Sequence, residues 1–172
     1  MLKIIGSILI IISGTMIGMS VGQRLRDRLF ELKSLKKTIA LLRGEIRYGN
    51  CALPEAFDHI SEYIEAPFSG MFEQISRELN EYEGKTFVEV WKKHVEKIKS
   101  MTCLKNEQVC QLKALGENLG YLDREMQLNT LDLYKEQLDY NIRNLEESIV
   151  KSVRLYNCLG VMGGILIVLI IM

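Results

Sequence analysis

All but one of the charged side chains of this chain lie between Arg24 and Arg154, which leaves residues 4–22 and 155–172 with no charged side chain. These stretches are 19 and 18 residues long. As helices rising about 1.5 Å per residue, each reaches roughly 27–28 Å, the thickness of a bilayer hydrocarbon core. The mean hydropathy of +0.05 hides this, because it averages two apolar ends with a highly charged middle. The patterning predicts a first transmembrane helix over residues 1–23, one soluble domain over 24–154, and a second transmembrane helix over 155–172. Charge in the middle is balanced, which argues against a nucleic-acid surface with its basic excess.

Orientation follows from where the cations sit. Only Lys3 precedes the first apolar stretch, whereas Arg24, Arg26, Arg28, Lys33, Lys36 and Lys37 crowd the residues after it. Gly18 and Ser20 are small enough for a signal-peptide cleavage site, but that charge arrangement is the reverse of a signal peptide's. Arg143, Lys151 and Arg154 precede the second stretch, and no charged side chain follows it. Positive charge stays on the cytosolic side, so both ends point outward and the domain lies in the cytosol. Cys51, Cys103 and Cys110 show no paired spacing and Cys158 falls in the second span, as expected of a reducing compartment without disulfides.

Between the spans the apolar periodicity is helical throughout. Leu25, Leu29, Leu32, Leu35, Ile39, Leu42 and Ile46 step by three and four, predicting a helix that continues from the first span and stops near Tyr48-Gly49-Asn50, where glycine permits a left-handed ending. Pro54 and Pro67 suit the first turns of a second and third helix, and Gly84 closes the loop after the third. Thr86 and Glu89 have capping-box spacing ahead of Val90, Trp91, Val95 and Ile98. A fifth helix runs from about Lys105 to Gly120. The sixth starts near Asp123, a good N-cap, and carries a seam from Leu131 to Tyr156. Asp139–Arg143 and Glu147–Lys151 have the spacing of pairs on its wet face, worth about 0.2–0.5 kcal/mol each. No stretch alternates like a strand. The expected fold is all-α, a cytosolic six-helix bundle whose first and last helices emerge side by side and antiparallel.

The residues that could carry function are few. Gly14, Gly18 and Gly22 recur every fourth residue in the first span, as do Gly160 and Gly164 in the second, and small residues at this spacing let membrane helices pack closely. Counted from the cytosolic boundary, Gly18 and Gly160 lie at similar depth, so the packing can be within one chain or between copies. His59 and His94 lack cysteine or carboxylate neighbours at metal-ligand spacing and read as plain surface or groove histidines. Glu146 and Glu147 read as solvated. No nucleophile signature or phosphate loop is present, so neither an enzyme, a cofactor nor a metal is expected. The segment from Leu115 to Gln127 holds two glycines that cost a helix about 1 kcal/mol each. Their use is close helix approach, a tight corner, or a docking corner with Asp123, Arg124 and Gln127 as partner contacts, joined by Glu45 from the end of the first helix.

The run Leu41-Leu42-Arg43-Gly44-Glu45-Ile46-Arg47-Tyr48, the following Leu53-Pro54-Glu55-Ala56, the later Trp91, the Leu-Gly-Glu-Asn-Leu-Gly corner with Asp123 and Gln127, and the closing residues 160–172 together resemble the stage III sporulation protein AB family, over essentially the whole chain. The soluble part is similar to the cytoplasmic helical domain of the F-type platform protein of type II secretion and type IV pilus systems. That platform usually has two such domains and three spans, against one and two here. The resemblance implies a platform subunit of the channel linking mother cell and forespore in endospore formation. It implies a place in the mother-cell membrane around the forespore, contact with other channel subunits including a secretion-type ATPase, and a possible homo-oligomer. No catalytic residues come with it. The alternative reading is a two-span sensor or regulator whose stalk helices transmit a membrane signal.

Overall fold

The computed structural model describes the backbone of residues 2–49, 51–81, 84–120 and 123–171, and the side chains of residues 16, 19–49, 51–81, 84–120, 123–149 and 162. Among the described residues there are six α-helices and no strand: α1 (Leu2–Gly44), α2 (Leu53–Ser61), α3 (Phe68–Asn80), α4 (Phe87–Lys99), α5 (Asn106–Leu119) and α6 (Arg124–Ile171). A π-turn over Glu45–Gly49 extends α1. The chain forms two units, one of Met1–Leu29 with Arg143–Met172, the other Phe30–Ile142.

In the first unit both segments are helical, and the exposed side chains include Met16, Met19 and Met162. The spans expected over residues 1–23 and 155–172 fall almost wholly on side chains outside those described. Among the described residues no helix is long and apolar enough to cross a membrane. The expected Glu147–Lys151 pair also lies partly outside them.

The second unit is the helical bundle. Its core follows the predicted periodicity: Leu32, Leu35, Ile39 and Leu42 of α1 are fully buried, as are Leu112 and Leu119 of α5 and Leu131 of α6. Burying each such side chain is worth roughly 1.5–3 kcal/mol before the entropy of ordering is subtracted. Within this unit α1 and α6 run antiparallel, because Lys36 pairs with Asp139 and Arg43 with Asp132, so seven residues forward on one helix match seven backward on the other. Asp139 thus turns to α1 rather than to Arg143 as the spacing predicted.

Local signals decide the helix ends. Pro54 occupies the first turn of α2, and Pro67 immediately precedes α3. The Thr86 capping box is formed: Thr86 Oγ1 accepts from the Glu89 N–H at 3.4 Å, and the Glu89 carboxylate accepts from the Thr86 N–H at 2.9 Å. Gly84 adopts the left-handed conformation, with φ of 74°. Gly49 does not, which corrects the expected ending of α1. The helix widens into the π-turn instead, and the Arg124 guanidinium donates to the carbonyls of Ile46, at 2.8 Å, and of Arg47. A side chain from α6 thereby satisfies acceptors that a glycine cap would otherwise have closed on the backbone.

Candidate functional site

The residues predicted as partner contacts meet at one end of the bundle, where the π-turn, the end of α5 and the start of α6 converge. Arg124 reaches the carbonyls next to Glu45. Gln127 Nε2 donates to the carbonyl of Leu119 at 2.9 Å, closing the corner between α5 and α6. Asp123 caps α6, its Oδ1 accepting from the Met126 N–H at 2.9 Å. All four predicted residues therefore have intramolecular partners, Glu45 through His59 and Cys51. Exposed at this end are Asp123 and Arg124 themselves and, without such a side-chain bond to the corner, Tyr48, with Arg47 stacked 5.6 Å from its ring centroid, Glu125 and Met126.

One turn back along α1 and two turns on along α6, Arg43 Nη2 donates to Asp132 Oδ2 at 2.8 Å, while Nε lies 2.7 Å from Oδ1 without the alignment of a hydrogen bond. The guanidinium holds the Asp132 carboxyl below the usual carboxylate range, and the carboxylate raises Arg43 in return. The corner is thus braced by charge on α1 and α6 behind it.

The two glycines of the predicted corner serve close approach. A Cβ at Gly116 would stand 2.1 Å from Trp91 Cδ1, and one at Gly120 would stand 2.8 Å from Phe87 Cδ1. Gly120 keeps an ordinary helical φ of −71°. The Trp91 ring lies against the backbone of α5 at Gly116 and donates from Nε1 to the carbonyl of Leu112 at 2.8 Å. Around it Phe57, Phe72 and Phe87 hold ring centroids 5.8–6.0 Å from the indole. A lone tryptophan on an apolar seam and a glycine inside another helix were the only sequence signals of this contact.

Both histidines have carboxylate partners that their sequence spacing does not announce. His94 is buried at 6% exposure, and its Nε2 lies 2.8 Å from Glu78 Oε2. Glu78 also accepts from Lys85 at 2.9 Å and from Lys93 at 2.8 Å, and these donors lower its pKa from 4.5 to about 2. The partners come from α3, α4 and the loop between them, so no linear spacing could announce them. His59 is exposed as expected, but Nδ1 lies 3.4 Å from Glu45 Oε2, with Cys51 Sγ 3.8 Å from the same oxygen. This group escapes a reading by spacing because its members stand six and eight residues apart across a turn.

Of the glycines expected to pack helices in a membrane, Gly22 is buried, whereas Gly14, Gly18, Gly160 and Gly164 lie outside the residues with described side chains.

Comparison with known proteins gives a consistent result. The family model for stage III sporulation protein AB matches residues 3–172. Stage III sporulation protein AB of Bacillus subtilis (strain 168) is 26% identical over 172 residues, covering 100% of both chains. A solved structure of a stage III sporulation protein AB superposes with a TM-score of 0.66 at 25% identity, covering 72% of this chain and 97% of that one.

Proposed function

We propose, since the chain belongs to the stage III sporulation protein AB family, that it is a non-enzymatic membrane platform in the channel between mother cell and forespore. In this reading residues 4–22 and 155–172 span the mother-cell membrane around the forespore, and the bundle lies in the mother-cell cytosol. The bundle couples a secretion-type ATPase to the channel. Within the membrane the faces carrying Gly14, Gly18 and Gly22 and those carrying Gly160 and Gly164 pack helix against helix.

The observation that carries the reading is the build of α1 and α6. They pair antiparallel through Lys36–Asp139 and Arg43–Asp132, and each ends in a charge-free stretch long enough for a bilayer. The braced corner stands at the end of that pair furthest in sequence from those stretches. A rigid corner suits a docking role, since little ordering entropy remains to be lost on binding. Tyr48, Glu125 and Met126 are the contacts this favours, because Arg124 and Gln127 already hold the corner together.

The test is co-purification of the full chain from sporulating cells under gentle detergent. The platform reading expects a secretion-type ATPase in the eluate, lost on Glu125→Arg or Met126→Glu and kept with Arg77→Glu on α3. Recovery of no ATPase with the unaltered chain would overturn it.

A further inference from the structure

We infer that Glu45, Cys51 and His59 form a binding site for a thiophilic divalent cation, zinc in the first place, where the π-turn meets α2. The three donor atoms, a carboxylate oxygen, a thiol sulfur and an imidazole nitrogen, all lie within 4.8 Å of one another. Glu45 Oε2 stands 3.4 Å from His59 Nδ1 and 3.8 Å from Cys51 Sγ. Zinc bonds of about 2.0–2.3 Å at tetrahedral angles place neighbouring ligand atoms about 3.4–3.6 Å apart. The group therefore needs only small side-chain adjustments to close on an ion.

A second observation points the same way. Gly49 uses no left-handed conformation, so its backbone does not require glycine, yet a Cβ there would stand 2.8 Å from Glu45 Oε2 and 3.1 Å from Cys51 Sγ. The missing side chain is the space into which carboxylate and thiol converge. The π-turn contributes too, since the extra residue per turn changes the direction in which Glu45 leaves the helix, and such turns gather at functional sites.

The donor set selects the metal. Calcium and magnesium demand oxygen ligands, whereas one sulfur, one nitrogen and one oxygen suit zinc or cobalt(II). Three protein ligands leave the fourth position to water, and the exposed His59 ring marks the open side. Binding forms the sulfur–metal bond and releases the Cys51 thiol proton to solvent. The bound ion would staple the end of α1 to α2.

The experiment uses the full chain in detergent micelles, reduced and stripped with a chelator, then titrated with cobalt(II) alone and back-titrated with zinc. The expected result is one cobalt per chain with a thiolate-to-cobalt charge-transfer band that zinc abolishes. Cys51→Ser should remove the band, and Glu45→Gln, His59→Ala and Gly49→Ala should each weaken binding at least tenfold. Cys110→Ser should leave it intact. A second measurement needs no substitution: zinc should slow maleimide labelling of Cys51 at least tenfold while leaving Cys110 unchanged. The proposal falls if cobalt does not saturate, if the band persists undiminished in Cys51→Ser, or if zinc leaves Cys51 labelling unchanged.

Discussion

Gly116 shows how a single missing methyl group sets the packing of two helices. The indole of Trp91 occupies the place of its Cβ, and the carbonyl of Leu112 one turn earlier receives the indole proton. Gly116→Ala must push the ring out of an aromatic cluster or spread α4 from α5. We expect a loss of about 2–3 kcal/mol, of the size seen when cores are overpacked. At Gly70, also helical, a Cβ would meet nothing within 4 Å. Gly70→Ala should therefore be neutral or stabilising by up to about 1 kcal/mol. Urea unfolding followed by the fluorescence of the chain's one tryptophan reads both. Equal effects of the two substitutions would contradict the close-approach account.

Between α3 and α4 the joint is electrostatic as well as apolar. Glu78 gathers Lys85, Lys93 and His94, and its pKa falls from 4.5 to about 2. A carboxyl depressed on folding contributes stability that is fully present above its unfolded pKa and disappears as pH falls through its folded one. The contribution is on the order of 2 kcal/mol once the exposure of the two lysines is allowed for. It should be lost between about pH 4.5 and pH 2. Glu78→Gln should unfold more easily at neutral pH by a similar amount, and the gap to the unaltered chain should shrink across that window. Acid titration of both chains by circular dichroism checks it, and a gap constant from pH 5 to about pH 2 would contradict it.

Whether the two units work as anchor and cytosolic head is a question of topology across a membrane. The proposed orientation predicts that a membrane-impermeant thiol reagent leaves Cys51, Cys103 and Cys110 unlabelled in intact cells. All three are free thiols, and Cys110 is exposed. Permeabilised cells should label at Cys110 at once. Labelling without permeabilisation would put the bundle on the other side and remove the ATPase contact from the proposal.

The helices and much of their order were legible in the chain itself. Periodicity, two prolines and a capping box are local signals, and they located the buried seams and most helix starts. What they could not supply were partnerships between residues far apart in sequence. Arg124 took the place of a glycine cap by reaching a carbonyl 78 residues away, Glu78 drew in a histidine 16 residues on, and Asp139 left its i+4 neighbour for Lys36. Each choice depends on which unpaired polar group another helix brings within about 3 Å. Backbone periodicity registers which face of a helix is buried, but only the packed bundle decides which donor meets which acceptor, and whether a glycine is there for its torsion or for the space it leaves.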